Sequence, residues 1–304
     1  MIHEFAIEPE VMATWEHFNV LWLDLGVERG RLLVEYPKNW RKRVHELVDT
    51  FSKPVRANAI RSRLSDPVLR RSKLVGACGR PFEGGDWLKN ALAQQSGEQP
   101  FRAIVTRQAG EKRPDVLVVD DFPRDEEPWV VSSQCRCPRT AEALYAVVAV
   151  LLRHSSELIL VDPHFAPDEP RFVEPFARMV GCKARWKRLE LHVGLPRDYR
   201  EEALRDKYER RLQTLIPAGT TLTVCLWPRE KEKDKLHDRF VLTERGGVQF
   251  GHGLDEGEPQ ETTVASLLDH ELFQELREDY HPGARAFGEP LRFSVTGRRA
   301  PDGA

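Results

Sequence analysis

The chain has 304 residues, of which 40% are hydrophobic and 31% charged, and its formal net charge at pH 7 is −2. This composition is typical of a globular protein long enough for two domains, and it excludes a disordered or fibrous chain. The small net charge gives no support for nucleic-acid binding by the molecule as a whole, so such an argument must rest on local clusters of charge.

Cysteine usage and the absence of targeting signals indicate the compartment. The five cysteines are scattered, which predicts a reducing environment and no disulfide framework. Cys135 and Cys137 are the one close pair, and no further ligands at zinc spacing stand near them, so we expect neither a metal nor a cofactor. The N-terminus lacks the pattern of a signal peptide, and the longest apolar run, 143–152, is too short for a membrane span. We therefore expect a cytoplasmic protein.

The first 134 residues are predicted to form a small α+β module. Residues 18–36 are interpreted as two strands around a turn at Glu28-Arg29-Gly30, and residues 39–51 have the spacing of a helix. Further segments rich in β-branched residues predict strands at 101–107, 115–122 and 129–134.

A basic segment occupies residues 53–80 of this module. It contains eight cationic side chains against one acidic side chain, Asp66, a local net charge of +7. A solvated surface is one interpretation. The segment is also the best candidate in the chain for contact with a polyanion, and such binding would weaken steeply with salt. The residues expected to hold phosphate there are Arg61, Arg63, Arg70 and Arg71.

The second half, residues 138–290, alternates strands with helices. Helices are predicted at 138–155, 171–180 and 198–215, and strands at 157–165, 188–195, 220–227, 239–244 and 247–251. This alternation predicts an α/β domain whose mixed, mainly parallel sheet has helices on both faces. Ligand sites gather at the carboxyl ends of such strands, so His164, Trp227 and His237 are expected to share a cleft. Residues 291–304 are expected to form a C-terminal strand and a loose tail, and the mixed-charge run at 228–239 a solvated loop.

The segment around His237 carries the clearest functional pattern. His237 and Arg239 are two residues apart in a predicted strand, so both side chains point to one face and can meet one ligand, whereas Asp238 points to the other. A guanidinium suits the paired oxygens of a phosphate. Further along, Gly251 and Gly253 would let backbone N–H groups turn towards an anion, with His252 between them as a donor when protonated.

The spacing H-x-R-x4-E, followed after six residues by G-H-G-L-D, resembles the phospholipase D superfamily pattern H-x-K-x4-D and G-S-x-N. The register is kept while Arg239, Glu244, His252 and Leu254 replace the superfamily's Lys, Asp, Ser and Asn. The variant is most similar to the phospholipase-D-like C-terminal domain of MIT-domain-containing proteins, which has H-D-R in the strand and G-x-G-L-D in the turn. The resemblance covers roughly residues 138–275.

The resemblance implies a metal-independent mechanism. His237 would attack phosphorus to form a phosphohistidine, Arg239 would clamp the phosphate and Glu244 would orient the site. Enzymes of the superfamily bring two motifs together, and this chain holds one copy. The proton donor is then His237 of a second subunit in a homodimer, His252 or His164. The further residues expected to contact substrate are Gly251, Gly253, Asp255 and His164.

Two functions follow from this pattern. One is a phosphodiesterase that cleaves nucleic acid, as in defence or DNA processing. The other is a non-catalytic module that binds the phosphate of a nucleic-acid backbone, an anionic lipid headgroup or a phosphorylated partner, as the replaced Lys and Asn favour. A membrane surface is disfavoured because no amphipathic basic helix with exposed aromatics stands out. A third interpretation makes the domain a dimerisation scaffold, and His164 and His192 have structural interpretations as well.

Overall fold

The computed structural model describes residues 1–108, 112–121, 124–228 and 236–298. The chain divides into two compact units, Met1–Ser133 and Gln134–Ala304, and each unit has a sheet of its own. Most of the mixed-charge run and of the C-terminal tail considered above, residues 229–235 and 299–304, lies outside the described residues. No helix in the described ranges is long and apolar enough to cross a membrane.

The first unit is built on a five-stranded sheet in the order β3-β2-β1-β4-β5. Its strands are β1 His3–Ile7, β2 Arg31–Glu35, β3 Leu74–Gly76, β4 Ala103–Thr106 and β5 Val116–Val118. Its helices are α1 Pro9–Ala13, α2 Trp15–Asp24, α3 Trp40–Phe51, α4 Pro54–Ser65, α5 Pro67–Lys73 and α6 Trp87–Ala93. All pairings among these described strands are parallel, so the unit is α/β, in contrast to the α+β module expected from the sequence.

Several predictions for this unit are corrected by burial. The first of the two strands expected in 18–36 is instead the helix α2, because Phe18, Leu21 and Trp22 recur at helical spacing and are all buried. The helix predicted at 39–51 is confirmed as α3. The strand expected at 129–134 begins only at Gln134, since the Trp129 ring is fully buried in the core of the first unit.

The second unit contains an eight-stranded sheet in the order β13-β9-β8-β7-β10-β11-β12-β6. Its strands are β6 Gln134–Pro138, β7 Glu157–Val161, β8 Arg188–Gly194, β9 Thr221–Trp227, β10 Arg239–Leu242, β11 Gly247–Phe250, β12 Thr262–Leu267 and β13 Leu291–Thr296. Its helices are α7 Ala141–Arg153, α8 Pro170–Val180, α9 Glu201–Leu212 and α10 His270–Asp279.

This sheet is mixed, as expected, but antiparallel pairs outnumber parallel ones among its described strands. Only β7–β8 and β8–β9 are parallel, because α8 and α9 provide the crossovers there, whereas β10, β11 and β12 follow one another as an antiparallel meander joined by a short turn at 243–246 and a longer loop at 251–261. Pro138 ends β6 and does not open the following helix. The N-cap of α7 is Thr140, whose hydroxyl accepts a 3.2 Å hydrogen bond from the backbone amide of Ala143.

The register of the central strands decides which loops meet. Phe240 of β10 pairs with Val161 of β7, and Arg239 pairs with Phe250 of β11, both antiparallel. The end of β7, the start of β10 and the end of β11 therefore lie at one edge of the sheet. We call this edge, with the residues that immediately follow or precede those strands, the carboxyl edge.

Candidate functional site

Three histidines lie at the carboxyl edge with exposed side chains. His237 lies two residues before the start of β10 and so outside the strand in which it was expected, His164 follows the end of β7, and His252 follows the end of β11. Residues distant in the sequence are thus brought to one side of the sheet by the antiparallel register. Trp227, which was expected to share a cleft with His164 and His237, is instead fully buried. The edge can offer imidazole nitrogens to a ligand as donors, acceptors or nucleophiles.

The two faces of β10 have different surroundings. Phe240 packs in a buried cluster with Trp227 and Tyr280 on one face. Asp238 precedes the strand and is exposed. Arg239, one residue before Phe240, lies on the opposite face of the strand, where its charge acts on the Asp162 carboxylate.

Arg239 is half-buried at the start of its strand. Its Nε atom is buried and has no hydrogen-bond partner among the described residues. Nε itself is closed to solvent, but the Arg239 residue is partly exposed, so the accessible part of its guanidinium can donate to an anionic ligand. This is the feature of the carboxyl edge that most directly indicates anion binding.

Asp162, directly after β7, is a residue of this edge to which the sequence pattern assigned no role. Its side chain is 1% exposed. Oδ1 accepts a 2.9 Å hydrogen bond from the backbone amide of His164, and Oδ2 accepts a 2.8 Å bond from that of Leu254. Burial raises the pKa of the Asp162 carboxyl. The two backbone amides and the Arg239 guanidinium oppose this rise, whereas the nearby Asp255 carboxylate adds to it.

Glu244 does not take the orienting role that the motif implied. Its carboxylate accepts hydrogen bonds from the backbone amides of Ser156, at 2.8 Å, and Glu157, at 3.0 Å. Ser156 and Glu157 begin β7, and β10 runs antiparallel to β7, so Glu244 lies at the edge of the sheet opposite to His237. Glu244 therefore accepts hydrogen bonds from backbone amides at the start of β7 and is remote from the candidate site.

Asp255, which was expected to contact substrate, is engaged inside the protein. It is 4% exposed, and its carboxylate lies 2.6 Å from Arg139 Nη2 and 3.3 Å from Arg171 Nη1. Arg139 also pairs with Glu261 at 2.7 Å. A Cβ on Gly253 would come within 2.1 Å of Asp255 Oδ1. This close approach of Asp255 explains why a glycine occupies position 253, and no bound ligand is needed to account for it.

Most of the backbone N–H groups expected to face an anion in this turn are bound within the protein. The amide of Gly251 donates to the carbonyl of Val264 at 2.9 Å, and the amide of His252 donates to the hydroxyl of Thr263 at 3.1 Å. The amide of Leu254 donates to Asp162. Of the two glycines, Gly251 therefore offers no amide to a ligand, and the charged contacts with an anion at this edge fall to side chains.

The basic segment 53–80 of the first unit is partly neutralised by acidic residues from outside it. Arg61 pairs with Asp49 at 2.6 Å, and Arg56 pairs with Glu16. Arg80 forms a buried pair with Glu4 at 2.7 Å. The count of +7 therefore overstates the charge available to a polyanion.

The remaining cations of the segment fall into two groups. Lys73 is buried and donates to the carbonyl of Leu25, and Arg63 lies over the Trp15 ring, 5.6 Å from its centroid. Arg70 is half-buried at the end of α5, and Arg71 is exposed. The sequence count did not distinguish these environments, because burial is decided by residues elsewhere in the chain.

His192 has the structural role expected of it. It is 1% exposed, and its Nδ1 accepts a 3.0 Å hydrogen bond from Trp227 Nε1. Nε2 therefore carries the proton and donates to Glu190 at 3.1 Å. Burial lowers the pKa of His192. Burial alone would raise the pKa of Glu190, but hydrogen bonds from His192 and Arg188 lower it to about 2.

No metal cluster contributes to the site. Among the residues that the structure describes, no group of three or more His, Cys, Asp or Glu side chains is placed to hold a metal ion. Burial raises the pKa values of both Cys135 and Cys137, so these thiols favour their neutral form.

The comparisons with known proteins do not identify a function for this chain. No protein-family model and no curated protein matches the chain. Among solved structures, the archaeal chromatin protein TrmBL2, described as showing a novel mode of DNA binding, aligns with a TM-score of 0.26 and 12% identity. That alignment covers 52% of this chain and 53% of TrmBL2, so the chain spans about half the length of that protein.

Proposed function

We propose that the carboxyl edge of the second unit binds the phosphodiester group of a nucleic-acid backbone. The observation that carries this proposal is the half-buried Arg239, whose Nε has no partner among the described residues. His237 lies two residues before Arg239 and is exposed. A guanidinium and an imidazole together can donate to two oxygens of one phosphate.

Side chains supply the charged contacts in this proposal. The amides of Gly251, His252 and Leu254 in the turn after β11 are bound within the protein. Arg239 contributes a fixed positive charge, and the imidazoles contribute charge only when protonated.

A nucleic acid is favoured over a lipid headgroup because the first unit carries an exposed cationic side chain of its own. Lys53, directly before α4, is exposed. Contacts between such residues and several phosphates release counterions, a gain that requires a polyanion. A single lipid headgroup offers no comparable gain.

Hydrolysis is a second candidate, favoured by the three exposed imidazoles at the carboxyl edge. His237 would attack phosphorus, a P–O bond would break, and His164 or His252 would give its proton to the leaving oxygen. Water would then hydrolyse the phosphohistidine and release the phosphate. One chain would supply both imidazoles, so this reaction does not require the homodimer implied by the family resemblance.

Binding is tested with the full chain and fluorescently labelled single- and double-stranded oligonucleotides, followed by anisotropy. We expect Arg239→Ala to weaken binding by about tenfold or more, because a charge-assisted contact is lost. Arg210→Ala, at an exposed arginine on α9, is the matched control and should change affinity by less than about twofold. Wild-type affinity in Arg239→Ala would overturn the proposal.

Cleavage is tested with the same oligonucleotides in the presence of EDTA, and products are resolved by electrophoresis. The hydrolytic candidate requires product with the wild-type chain and none with His237→Ala. Separate His164→Ala and His252→Ala variants then identify the proton donor by the larger loss of rate. If the oligonucleotide stays intact while its binding depends on Arg239, the protein binds the phosphodiester without cleaving it.

A further inference from the structure

We propose that Asp162 sets the charge selectivity of the Arg239 site, so that the site accepts singly charged internal phosphates of a strand and disfavours doubly charged terminal phosphates. This inference rests on the proposed function and assigns a role to a residue outside the family motif. Asp162 is a specificity-determining and positioning residue here, and it is not placed in contact with the reacting atoms.

The position of the Asp162 carboxylate is fixed by the protein. Each of its oxygens accepts a hydrogen bond from a backbone amide, one from His164 after β7 and one from Leu254 after β11. The side chain is almost completely buried, so water screens its charge poorly. Asp162 therefore cannot rotate away when an anion approaches Arg239.

The strand register places Asp162 beside Arg239. Phe240 pairs with Val161 in antiparallel strands, so the residue after Val161 lies across from the residue before Phe240. The neighbouring Asp255 carboxylate is contacted by Arg139 and Arg171, which offset its charge. Asp162 accepts hydrogen bonds from neutral amides only, and its charge acts on Arg239 and also on the exposed Arg171. The positive potential that Arg239 presents to a ligand is therefore reduced by Asp162.

This reduction affects mono- and dianions differently. The attraction of a ligand to the site grows linearly with the charge of the ligand, whereas the cost of removing that charge from water grows with its square. A strongly positive site favours the dianion, because attraction then outweighs desolvation. A site whose potential is lowered by a fixed carboxylate favours the monoanion. An internal phosphodiester carries one negative charge, and a terminal phosphate carries close to two above its second pKa near 6.

The test is a competition experiment at pH 8 and constant ionic strength. A labelled oligonucleotide bound to the full chain is displaced by a dinucleoside monophosphate or by a nucleoside 5′-monophosphate. We expect the wild type to prefer the diester, and we expect Asp162→Asn to shift the ratio of the two affinities about tenfold towards the monophosphate. Glu202→Gln removes an exposed carboxylate on α9 and is the matched control, with an unchanged ratio.

The outcomes separate this inference from the proposed function. Displacement that does not differ between the wild type and Arg239→Ala would contradict the proposed function itself. Displacement that depends on Arg239, with a wild-type preference for the monophosphate or an unchanged ratio in Asp162→Asn, would overturn the role of Asp162 alone. Circular dichroism and thermal unfolding check the fold of the variant. If Asp162→Asn does not fold, Asp162→Ser, which keeps a hydroxyl acceptor, replaces it.

Discussion

The carboxylate of Glu244 accepts a 2.8 Å hydrogen bond from the backbone amide of Ser156, at the edge of the sheet opposite to His237. Its second oxygen accepts from Glu157. In Glu244→Ala both amides lose their acceptor, and we expect the free energy of unfolding to fall by about 1–3 kcal/mol. Urea denaturation of the full chain measures this loss, with Glu202→Ala on the exposed side of α9 as the control. Oligonucleotide affinity should be unchanged, and a selective loss of affinity at full stability would show that Glu244 serves the site after all.

Asp255→Asn is expected to destabilise the second unit more strongly than Glu244→Ala does. The substitution removes a buried charge that Arg139 contacts at 2.6 Å, and Arg139 is itself mostly buried. Breaking one side of such a pair costs about 3 kcal/mol or more. Arg171→Ala should cost less than about 1 kcal/mol, since the Arg171 side chain is 55% exposed. Equal effects of the two substitutions in thermal or urea unfolding would contradict this difference between the two arginines.

The stability of the second unit should fall between pH 7.5 and pH 5.5 because of His192. Its pKa is lowered in the folded protein, so the unfolded state binds the proton more readily. The stability contributed by the neutral ring is complete above the unfolded pKa near 6.5 and is lost as the pH falls below it. At pH 5.5 the loss amounts to at most about 1.4 kcal/mol.

His192→Gln isolates this titration, because glutamine can accept from Trp227 and donate to Glu190 but does not titrate. The variant should show a smaller decrease in stability over the same interval. The pKa of Glu190 is lowered to about 2, so its contribution to stability is lost only when the pH falls below the ordinary pKa of a glutamate. The Glu190 titration therefore does not affect the interval from pH 7.5 to pH 5.5. Parallel pH profiles for the variant and the wild type would show that His192 is protonated equally in both states.

Within the basic segment, Arg80 and Arg71 should respond in opposite ways. Arg80→Met removes the guanidinium that pairs with the Glu4 carboxylate, whose side chain is 4% exposed, and we expect a loss of about 3–5 kcal/mol in the free energy of unfolding. Arg71→Met, at an exposed position, should change stability by less than about 0.5 kcal/mol. Oligonucleotide binding should respond only to Arg71→Met, and this is measured at two salt concentrations. Similar stabilities of the two variants would contradict the burial of the Arg80 pair.

The local periodicity of the sequence predicts the strands near the candidate site and the faces on which their side chains lie. The alternation along 239–242 places Arg239 and Phe240 on opposite faces, and the structure agrees because the two-residue repeat of a strand depends on the backbone alone. The apolar run of β7 and its end at Asp162 were predictable for the same reason. Helical spacing likewise predicts α3. The strand predicted in the first part of 18–36 is wrong, because that segment has the helical spacing of α2.

The tertiary structure alone decided which charged groups are available to a ligand. Arg80 meets Glu4 across 76 positions of the chain, and Arg139 meets Asp255 across 116. Asp162 gains its neighbour Leu254 across 92 positions. Hydrogen bonds and ion pairs depend on distances of a few ångströms in space, and separation along the chain carries no record of them. For this reason the motif located the edge that holds His237 and Arg239, whereas folding removed Glu244 and Asp255 from the site and added Asp162.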